Sequence, residues 1–168
     1  KFAEPLLRRP LDIAFVTRTL QLMLGDEGRI DPARTALIGY SMGGYGVLTA
    51  GGGVLDPGSP IGQIIPGGLI APYARGGAAT DDVRATGIKA IVAFAPGGGS
   101  LRAWGAEGLG AITAPLLLIS GDRDQTVDYQ TGARAFFDMA TNSRRYLLTF
   151  RGAGHRIGLG PAPDEMRQ

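Results

Sequence analysis

The sequence has 168 residues, of which 44% are hydrophobic and 19% are charged, a balance that is ordinary for a globular protein with its own core. Seventeen basic and fifteen acidic side chains leave a net charge of +2, which is too small for the basic surface of a nucleic-acid-binding protein. Cysteine is absent, which excludes disulfides, thiol catalysis and cysteine-bound metal and fits a reducing or an oxidising compartment.

The first predicted element is a helix that begins near Pro10 and ends near Gly25. Proline suits the first turn of a helix because the N–H that it lacks has no partner there, and glycine suits the position after the last turn. Asp12 favours the positive N-terminal end of this helix. Apolar residues spaced by three or four positions form the face that we expect to enter the core: Ile13, Val16, Leu20 and Leu24.

Short apolar runs and helices alternate along the rest of the chain. The runs predict buried strands at residues 35–40, 89–95, 115–120 and 145–150. Helices are predicted at 42–50 and 126–140, with a short helical turn at 81–85. The second of these helices offers four residues for a buried face: Val127, Ala133, Phe136 and Phe137. This alternation predicts the α/β class, with a mostly parallel sheet flanked by helices, and the continuous apolar runs indicate strands covered on both faces.

Residues 51–88 are rich in glycine and proline and show no regular period. A connection of this length inside a compact domain is usually functional, or it contains an element that the pattern does not reveal. No internal repeat or second domain is visible. We therefore expect residues 1–168 to form a single domain in which 51–88 is an irregular insertion.

A serine lies between the first predicted strand and the following helix, in Gly39-Tyr40-Ser41-Met42-Gly43. The Gly-x-Ser-x-Gly pattern is typical of a strained strand-to-helix turn that exposes a nucleophilic serine. Both glycines are expected because side chains at their positions would collide with neighbouring backbone. The helix N-terminus favours developing negative charge, and the N–H of Met42 would be one oxyanion donor. An ordinary glycine-rich turn is the alternative interpretation.

Acidic residues follow the most apolar predicted strand, in Ser120-Gly121-Asp122-Arg123-Asp124. Ligands and catalytic groups of open parallel sheets collect at the carboxyl ends of the strands. The Gly-x-x-Asp spacing favours Asp124 as a catalytic acid on a loop that can approach the site. Asp122 is expected to close the turn through its own backbone, and Asp128 is a third candidate. A solvated acidic loop is the alternative for all three.

The only histidine of the chain, His155, lies in a glycine-rich loop after the last predicted strand. A lone histidine is more often structural or exposed than catalytic. Here the residues occur in the order serine, aspartate, histidine, each just beyond a predicted strand. This order is typical of α/β-hydrolases and differs from that of chymotrypsin-like and subtilisin-like enzymes. The order therefore favours a catalytic triad of Ser41, Asp124 and His155.

Three segments resemble the α/β-hydrolase superfamily: Tyr40-Ser41-Met42-Gly43-Gly44, Leu118-Ile119-Ser120-Gly121-Asp122-Arg123-Asp124 and Gly152-Ala153-Gly154-His155. Arg9-Pro10-Leu11-Asp12-Ile13, leading into a helix, resembles the branch of dienelactone hydrolases and platelet-activating-factor acetylhydrolases. Dienelactone hydrolases use cysteine as their nucleophile, so Ser41 points toward esterase or lipase-like chemistry. Related epoxide hydrolases and dehalogenases carry aspartate at this position, so Ser41 argues against both.

The resemblance implies a carboxylic-ester hydrolase that forms an acyl-enzyme on Ser41, with His155 as the base and Asp124 as the orienting acid. It implies no metal or organic cofactor, and the expected partner is a small-molecule ester. Tyr40, Trp104 and the insertion 51–88 are predicted to line the substrate pocket, although Trp104 fits a core position equally well. The alternatives are an acyltransferase or perhydrolase on the same triad and a non-catalytic binding or scaffold protein.

The superfamily's sheet has further strands upstream of the first helix, and we expect these to be missing from this sequence. Strand 35–40 would then be an inner strand of the complete sheet that here has one unpaired edge, which is an aggregation hazard. The loop that supplies the second oxyanion donor would be absent as well. We therefore expect a chain incomplete at both ends, which needs an upstream polypeptide segment for its activity.

Two further expectations concern the surroundings of the protein. No stretch approaches the roughly 20 apolar residues that a membrane span requires, so neither a membrane span nor a nucleic-acid partner is expected. We expect a soluble protein and favour the cytoplasm, with secretion left open because the sequence does not begin with methionine.

Overall fold

Four parallel strands form one sheet in the computed structural model, which describes residues 3–65 and 68–158. They are β1 (Thr35–Tyr40), β2 (Ile88–Phe94), β3 (Leu116–Gly121) and β4 (Arg145–Phe150), hydrogen-bonded in the order β1-β2-β3-β4. The helices of these ranges are α1 (Ala3–Asp26), α2 (Met42–Ala50), α3 (Pro60–Ile64), α4 (Ala106–Gly110) and α5 (Ala135–Met139). The predicted parallel sheet flanked by helices is confirmed. Over the described residues, no helix combines the length and the apolar character that crossing a bilayer requires.

Helix α1 begins at Ala3, so the prediction that placed Pro10 in its first turn is wrong. Inside a helix, proline lacks the N–H that the carbonyl four residues earlier would accept, here that of Leu6. The hydroxyl of Tyr45 in α2 donates to this Leu6 carbonyl at 2.9 Å. Burial raises the pKa of Tyr45 well above its ordinary value, so the hydroxyl stays a donor. A buried tyrosine therefore replaces the missing backbone donor and ties α1 to α2.

The predicted core face of α1 is also wrong in part. Val16 and Leu20 are exposed, and the buried residues are Leu6, Pro10, Ala14 and Gln21. Helix α1 packs against a glycine-rich turn of α2, where a Cβ on Gly46 would lie 2.6 Å from the Ile13 side chain. Small side chains on both helices permit this close approach, and it decides which face of α1 is buried.

Gln21 enters the interior because its amide is fully bonded. Its Nε2 donates to the carbonyls of Pro32 and Thr86 and to Thr35 Oγ1 at 2.8–3.0 Å. Its Oε1 accepts the hydroxyl hydrogen of Thr86 at 3.1 Å. These bonds fix the end of α1 to the segments that lead into β1 and β2.

Residues 51–88 contain more structure than their sequence predicted. They include α3, a 3-10 turn at Ala71–Tyr73 and a parallel bridge between Leu55 and Ala74. The helical turn predicted at 81–85 is a pair of hydrogen-bonded turns instead. Several residues of this segment belong to the core or lie buried beside it: Val54, Leu55, Ile61, Ile65, Ile70 and Val83.

The helix predicted at 126–140 is shorter than expected. Gln130–Arg134 form a kinked helical turn in which Gly132 has non-helical backbone angles (φ −94°, ψ −114°), and α5 follows it. Asp128 has a left-handed φ of +56°, and its carboxylate accepts the N–H of Thr131 at 2.8 Å, which lowers the pKa of Asp128. A side chain that caps the turn in this way delays the start of the helix. Of the predicted buried face, Ala133 and Phe136 are buried and Val127 and Phe137 are half-buried.

One face of the sheet is covered and the other is open over the described residues. The covered face carries Leu37, Ile91 and Leu118, which join the core cluster. Across the open face the register aligns Ile38, Val92, Leu117 and Tyr146 in one row. Ile38 is 69% exposed and Tyr146 is 55% exposed. The expectation of strands covered on both faces is therefore not met within residues 3–65 and 68–158.

Strand β1 lies at the edge of the sheet, with β2 as its partner. In a parallel ladder alternate residues point their N–H and C=O groups to opposite sides. Thr35 and Ser41 donate toward the β2 side, to the carbonyls of Gly87 and Phe94. Ile38 therefore directs its backbone groups to the open edge. No strand among residues 3–65 and 68–158 pairs with this edge, as the sequence predicted.

We predict that Tyr45→Phe lowers the free energy of unfolding by about 1–3 kcal/mol at pH 7, because it leaves the buried Leu6 carbonyl without a donor. Urea denaturation measures this difference, with Tyr146→Phe as the control because Tyr146 is exposed.

The same variant tests the pKa of Tyr45. Because this pKa is raised in the folded protein, the hydroxyl stabilises the fold fully below about pH 10, where the unfolded chain's tyrosine is neutral. The advantage of the wild type over Tyr45→Phe should then shrink as the pH rises above 10. An unchanged advantage up to pH 11, or no difference at pH 7, contradicts this explanation.

Candidate active site

Ser41 occupies a sharp turn between β1 and α2. Its backbone has φ of +54° and ψ of −117°, a left-handed conformation that is strained for a residue with a side chain. The sheet holds this conformation: Ser41 N–H donates to the Phe94 carbonyl at 2.9 Å, and the Ser41 carbonyl accepts the N–H of Gly97 at 2.9 Å. The hydroxyl of Ser41 is thereby presented above the carboxyl end of the sheet.

The glycines around Ser41 are required to different degrees. A Cβ on Gly39 would overlap the Gly43 carbonyl, and one on Gly44 would lie 2.8 Å from the Pro96 Cα. A Cβ on Gly43 would meet no heavy atom of the described residues within 4 Å. The expectation that Gly43 avoids a collision is therefore wrong within this chain. Gly44, one residue further on, has that function because α2 packs directly on the segment after β2.

His155 connects the serine to an aspartate. Its Nε2 lies 2.9 Å from Ser41 Oγ, and its Nδ1 lies 2.8 Å from Asp124 Oδ2. Asp124 is only 3% exposed. Its other oxygen, Oδ1, accepts the N–H groups of Thr126 at 2.9 Å and Val127 at 3.2 Å. One oxygen thus orients the carboxylate and the other faces the imidazole, so the structure brings together Ser41, Asp124 and His155.

The two other candidate acids lie elsewhere. Asp122 accepts the N–H of Gly152 at 2.7 Å through Oδ1, so the expectation that it closes a turn through its own backbone is wrong. Asp128 is exposed and binds Thr131. Asp122 instead holds the loop that carries His155.

The loop before His155 is joined to the turn after β3 by further backbone bonds. Asp122 N–H donates to the Phe150 carbonyl at 3.2 Å, and Arg123 N–H donates to the Ala153 carbonyl at 3.0 Å. A Cβ on Gly121 would overlap this Ala153 carbonyl. The acid and the histidine are therefore held by two segments in direct contact. The glycine-rich loop predicted after the last strand is described up to Gly158, where His155–Gly158 form a 3-10 turn, and residues 159–168 lie outside the described ranges.

Tyr40 contacts the histidine and does not line the cavity of about 540 Å³ that Trp104 borders. Its hydroxyl donates to the His155 carbonyl at 2.9 Å, and its ring centroid lies 5.1 Å from that of the imidazole. Burial, and then the Asp124 carboxylate, raise the pKa of Tyr40. From the sequence, Tyr40 is predicted only as a pocket residue. The sequence does show that Tyr40 precedes the nucleophile at the end of β1. It does not show where the His155 carbonyl lies.

Met42 is the first residue of α2, so its N–H has no partner within that helix. This places a free backbone donor directly after Ser41, as the oxyanion interpretation requires.

Trp104 is only 2% exposed. It packs between Tyr45 and Phe136, with ring centroids 5.2 Å away in both cases, and its indole N–H donates to Thr49 Oγ1 at 3.2 Å. The edge of Trp104 also forms part of the wall of a cavity of about 540 Å³. Other walls come from Asp56, Ser59 and Arg102, so the segment 51–88 contributes to this cavity.

Comparison with known proteins finds similarity at the level of structure. No family model matches the sequence, and no curated protein matches it significantly. Thermogutta terrifontis esterase 2 phosphoramylated by tabun aligns with a TM-score of 0.55 and 21% identity, over 94% of this chain and 58% of that one. Arabidopsis thaliana SOBER1, in a variant form, aligns with a TM-score of 0.53 and 12% identity, over 89% of this chain and 56% of that one. A truncated carbohydrate esterase from gut microbiota aligns with a TM-score of 0.53 and 15% identity, over 87% of this chain and 60% of that one.

These likenesses, with the parallel sheet flanked by helices, show an α/β-hydrolase fold. The chain spans 56–60% of the length of these three solved structures.

We predict that Gly39→Ala and Gly43→Ala differ sharply in stability. The added methyl on Gly39 overlaps backbone, so we expect a loss of about 2 kcal/mol or more. The methyl on Gly43 enters open space in the first turn of α2, so we expect no loss, or a gain of up to about 1 kcal/mol from helix propensity. Urea denaturation of both variants measures the difference. Equal destabilisation by the two substitutions is the outcome that contradicts the steric account.

Proposed function

We propose that this chain carries the catalytic residues of a serine hydrolase that cleaves carboxylic esters through an acyl-enzyme on Ser41. The observation that supports it most strongly is the continuous path from Ser41 Oγ through His155 to Asp124, with contacts of 2.9 and 2.8 Å. Such contacts lie within the range expected for a nucleophile, its base and the group that orients the base.

In this reaction His155 Nε2 accepts the Ser41 proton as Oγ attacks the ester carbonyl. The tetrahedral intermediate collapses, the bond to the leaving oxygen breaks, and His155 returns the proton to the departing alkoxide. Water then attacks the acyl-enzyme with the same histidine as base, which releases the carboxylic acid and restores Ser41. Asp124 holds Nδ1 and stabilises the imidazolium that forms in each half-reaction.

The negative charge on the oxygen of the tetrahedral intermediate needs hydrogen-bond donors to stabilise it. The N–H of Met42 and the N-terminus of α2 supply one side of this site. We propose that a second donor comes from a polypeptide segment that pairs with the open edge of β1. Within the described residues no strand pairs with the outer edge of β1, and the side chain of Ile38 is exposed. An apolar strand with an open edge is a template for pairing with another segment, which supports this proposal.

The cavity beside Trp104 is our candidate for the substrate pocket. Gly97 donates to the Ser41 carbonyl at 2.9 Å, and Gly99 lines the cavity two residues further along the chain. Two residues span at most about 7 Å, so this wall of the cavity lies within about 10 Å of the Ser41 carbonyl, although neither Ser41 nor His155 lines the cavity. Its apolar walls include Phe136 and Met139, which suit an acyl or alcohol chain.

Membership of the dienelactone hydrolase-like branch stays a prediction. The segment on which it rests, Arg9-Pro10-Leu11-Asp12-Ile13, lies within α1.

Labelling with a fluorophosphonate tests the proposed function. We expect covalent modification of Ser41, with loss of fluoride, to be abolished by Ser41→Ala and retained in Ser100→Ala, which changes an exposed serine. His155→Gln should slow the reaction about 100-fold or more because the base is lost. Asp124→Asn should slow it at least tenfold, while Asp128→Asn should not. Intact-mass spectrometry over time gives the rates.

The pH dependence of labelling is a further check on His155. The rate should fall in acid, because a protonated imidazole cannot act as a base. A non-catalytic scaffold would show no modification of Ser41, or modification that is insensitive to His155→Gln and to pH between 5 and 9. Either result contradicts the proposal.

A further inference from the structure

The two ends of the triad come from opposite edges of the sheet. Ser41 follows β1 and His155 follows β4, in a sheet ordered β1-β2-β3-β4. Three strand spacings of about 4.8 Å separate these edges. The loop after β4 must therefore cross the carboxyl end of the sheet before its histidine can reach the serine. Within the described residues, the hydrogen bonds that Gly152 and Ala153 make to Asp122 and Arg123 join this loop to the turn after β3.

Tyr40 contacts the loop after β4 at the opposite edge of the sheet, where β1 ends. It is the last residue of β1 and precedes Ser41 directly. Its hydroxyl donates to the His155 carbonyl at 2.9 Å. A Cβ on Gly158 would lie only 3.2 Å from the Tyr40 ring, so the 3-10 turn at His155–Gly158 packs closely on the same side chain.

The Tyr40 ring also packs beside the imidazole in a tilted arrangement, with 5.1 Å between ring centroids and 33° between ring planes. A cation within about 6 Å of an aromatic centroid is attracted to the ring face. The imidazole becomes such a cation each time it takes the serine's proton.

We propose that Tyr40 is a positioning residue for the catalytic histidine: its hydroxyl sets the place of His155 against Ser41, and its ring stabilises the imidazolium. This rests on the proposed function of the Ser41 site. A side chain adjoining the nucleophile thus fixes the base to the same strand end, so the 2.9 Å contact between Ser41 Oγ and His155 Nε2 does not depend on the β4 loop alone.

Other charges near the histidine are accounted for in the test. Asp124 binds Nδ1, Arg156 lies close enough to affect the Tyr40 hydroxyl, and Asp122 and Arg123 lie on the adjoining turn. All four are retained in every variant, so differences between variants report on Tyr40.

The experiment compares wild type, Tyr40→Phe, Tyr40→Leu and the control Tyr129→Phe, which removes a hydroxyl bonded to Thr149 Oγ1 at 2.9 Å. Because the chain has one histidine, NMR titration of its imidazole protons gives a single curve that needs no turnover. Fluorophosphonate labelling rates at the pH plateau are measured on the same samples, with unfolding by urea as a check that each variant is folded.

Tyr40→Phe keeps the aromatic ring and loses the hydroxyl that donates to the His155 carbonyl. Its labelling rate should therefore fall about three- to tenfold, with the histidine's titration midpoint unchanged. Tyr40→Leu loses both contacts, so its rate should fall further and the midpoint should move to lower pH by roughly half a unit. Tyr129→Phe should match the wild type in both readouts. If Tyr40→Leu does not fold, Tyr40→Met replaces it.

The proposal is overturned if the midpoint is the same in wild type and Tyr40→Leu, or if Tyr40→Phe is labelled as fast as Tyr129→Phe. A wild type that is never labelled contradicts the proposed function instead. In that case the titration midpoint of His155, compared between wild type and Tyr40→Leu, still decides whether the Tyr40 ring favours the imidazolium.

Discussion

The contact of 2.8 Å between Asp124 Oδ2 and His155 Nδ1 is the interaction on which the geometry of the site depends. A carboxylate that is only 3% exposed is costly unless its oxygens are bonded. Two backbone N–H groups satisfy Oδ1, and the histidine is the remaining partner of Oδ2. The need to satisfy this buried charge therefore draws the loop after β4 toward the turn after β3, and it aims Nε2 at the serine.

The nucleophile's side of the site depends on strain held by the sheet. Ser41 has φ of +54° and Ala95, at the end of β2, has φ of +40°, both unfavourable for residues with a Cβ. Each is fixed by a bond from the neighbouring strand: Ser41 N–H donates to the Phe94 carbonyl and Ala95 N–H to the Ile119 carbonyl at 2.7 Å. Backbone pairing thus supports conformations that neither residue would adopt alone. The same pairing stops at β1, whose outer edge the described residues leave open.

The parallel sheet could be predicted because the signal is local: apolar runs of six or seven residues, each between turn-forming or helical segments. The positions of Ser41, Asp124 and His155 at strand ends followed from the same pattern. The start of α1 could not be predicted, because Pro10 is tolerated only through the Tyr45 hydroxyl, 35 positions away along the chain. Asp122 and Tyr40 were missed for a similar reason. Their partners, Gly152 and His155, are set by how the loop crosses the sheet and not by neighbouring sequence.

The most direct test is whether the bond between Asp124 and the single histidine exists in solution. A proton on Nδ1 that is hydrogen-bonded to a buried carboxylate is strongly deshielded and protected from exchange. The account predicts one proton resonance downfield of the amide region in the wild-type NMR spectrum, coupled to the His155 ring nitrogen and lost in Asp124→Asn. Absence of that resonance in the folded wild type, or its persistence in Asp124→Asn, would contradict the account.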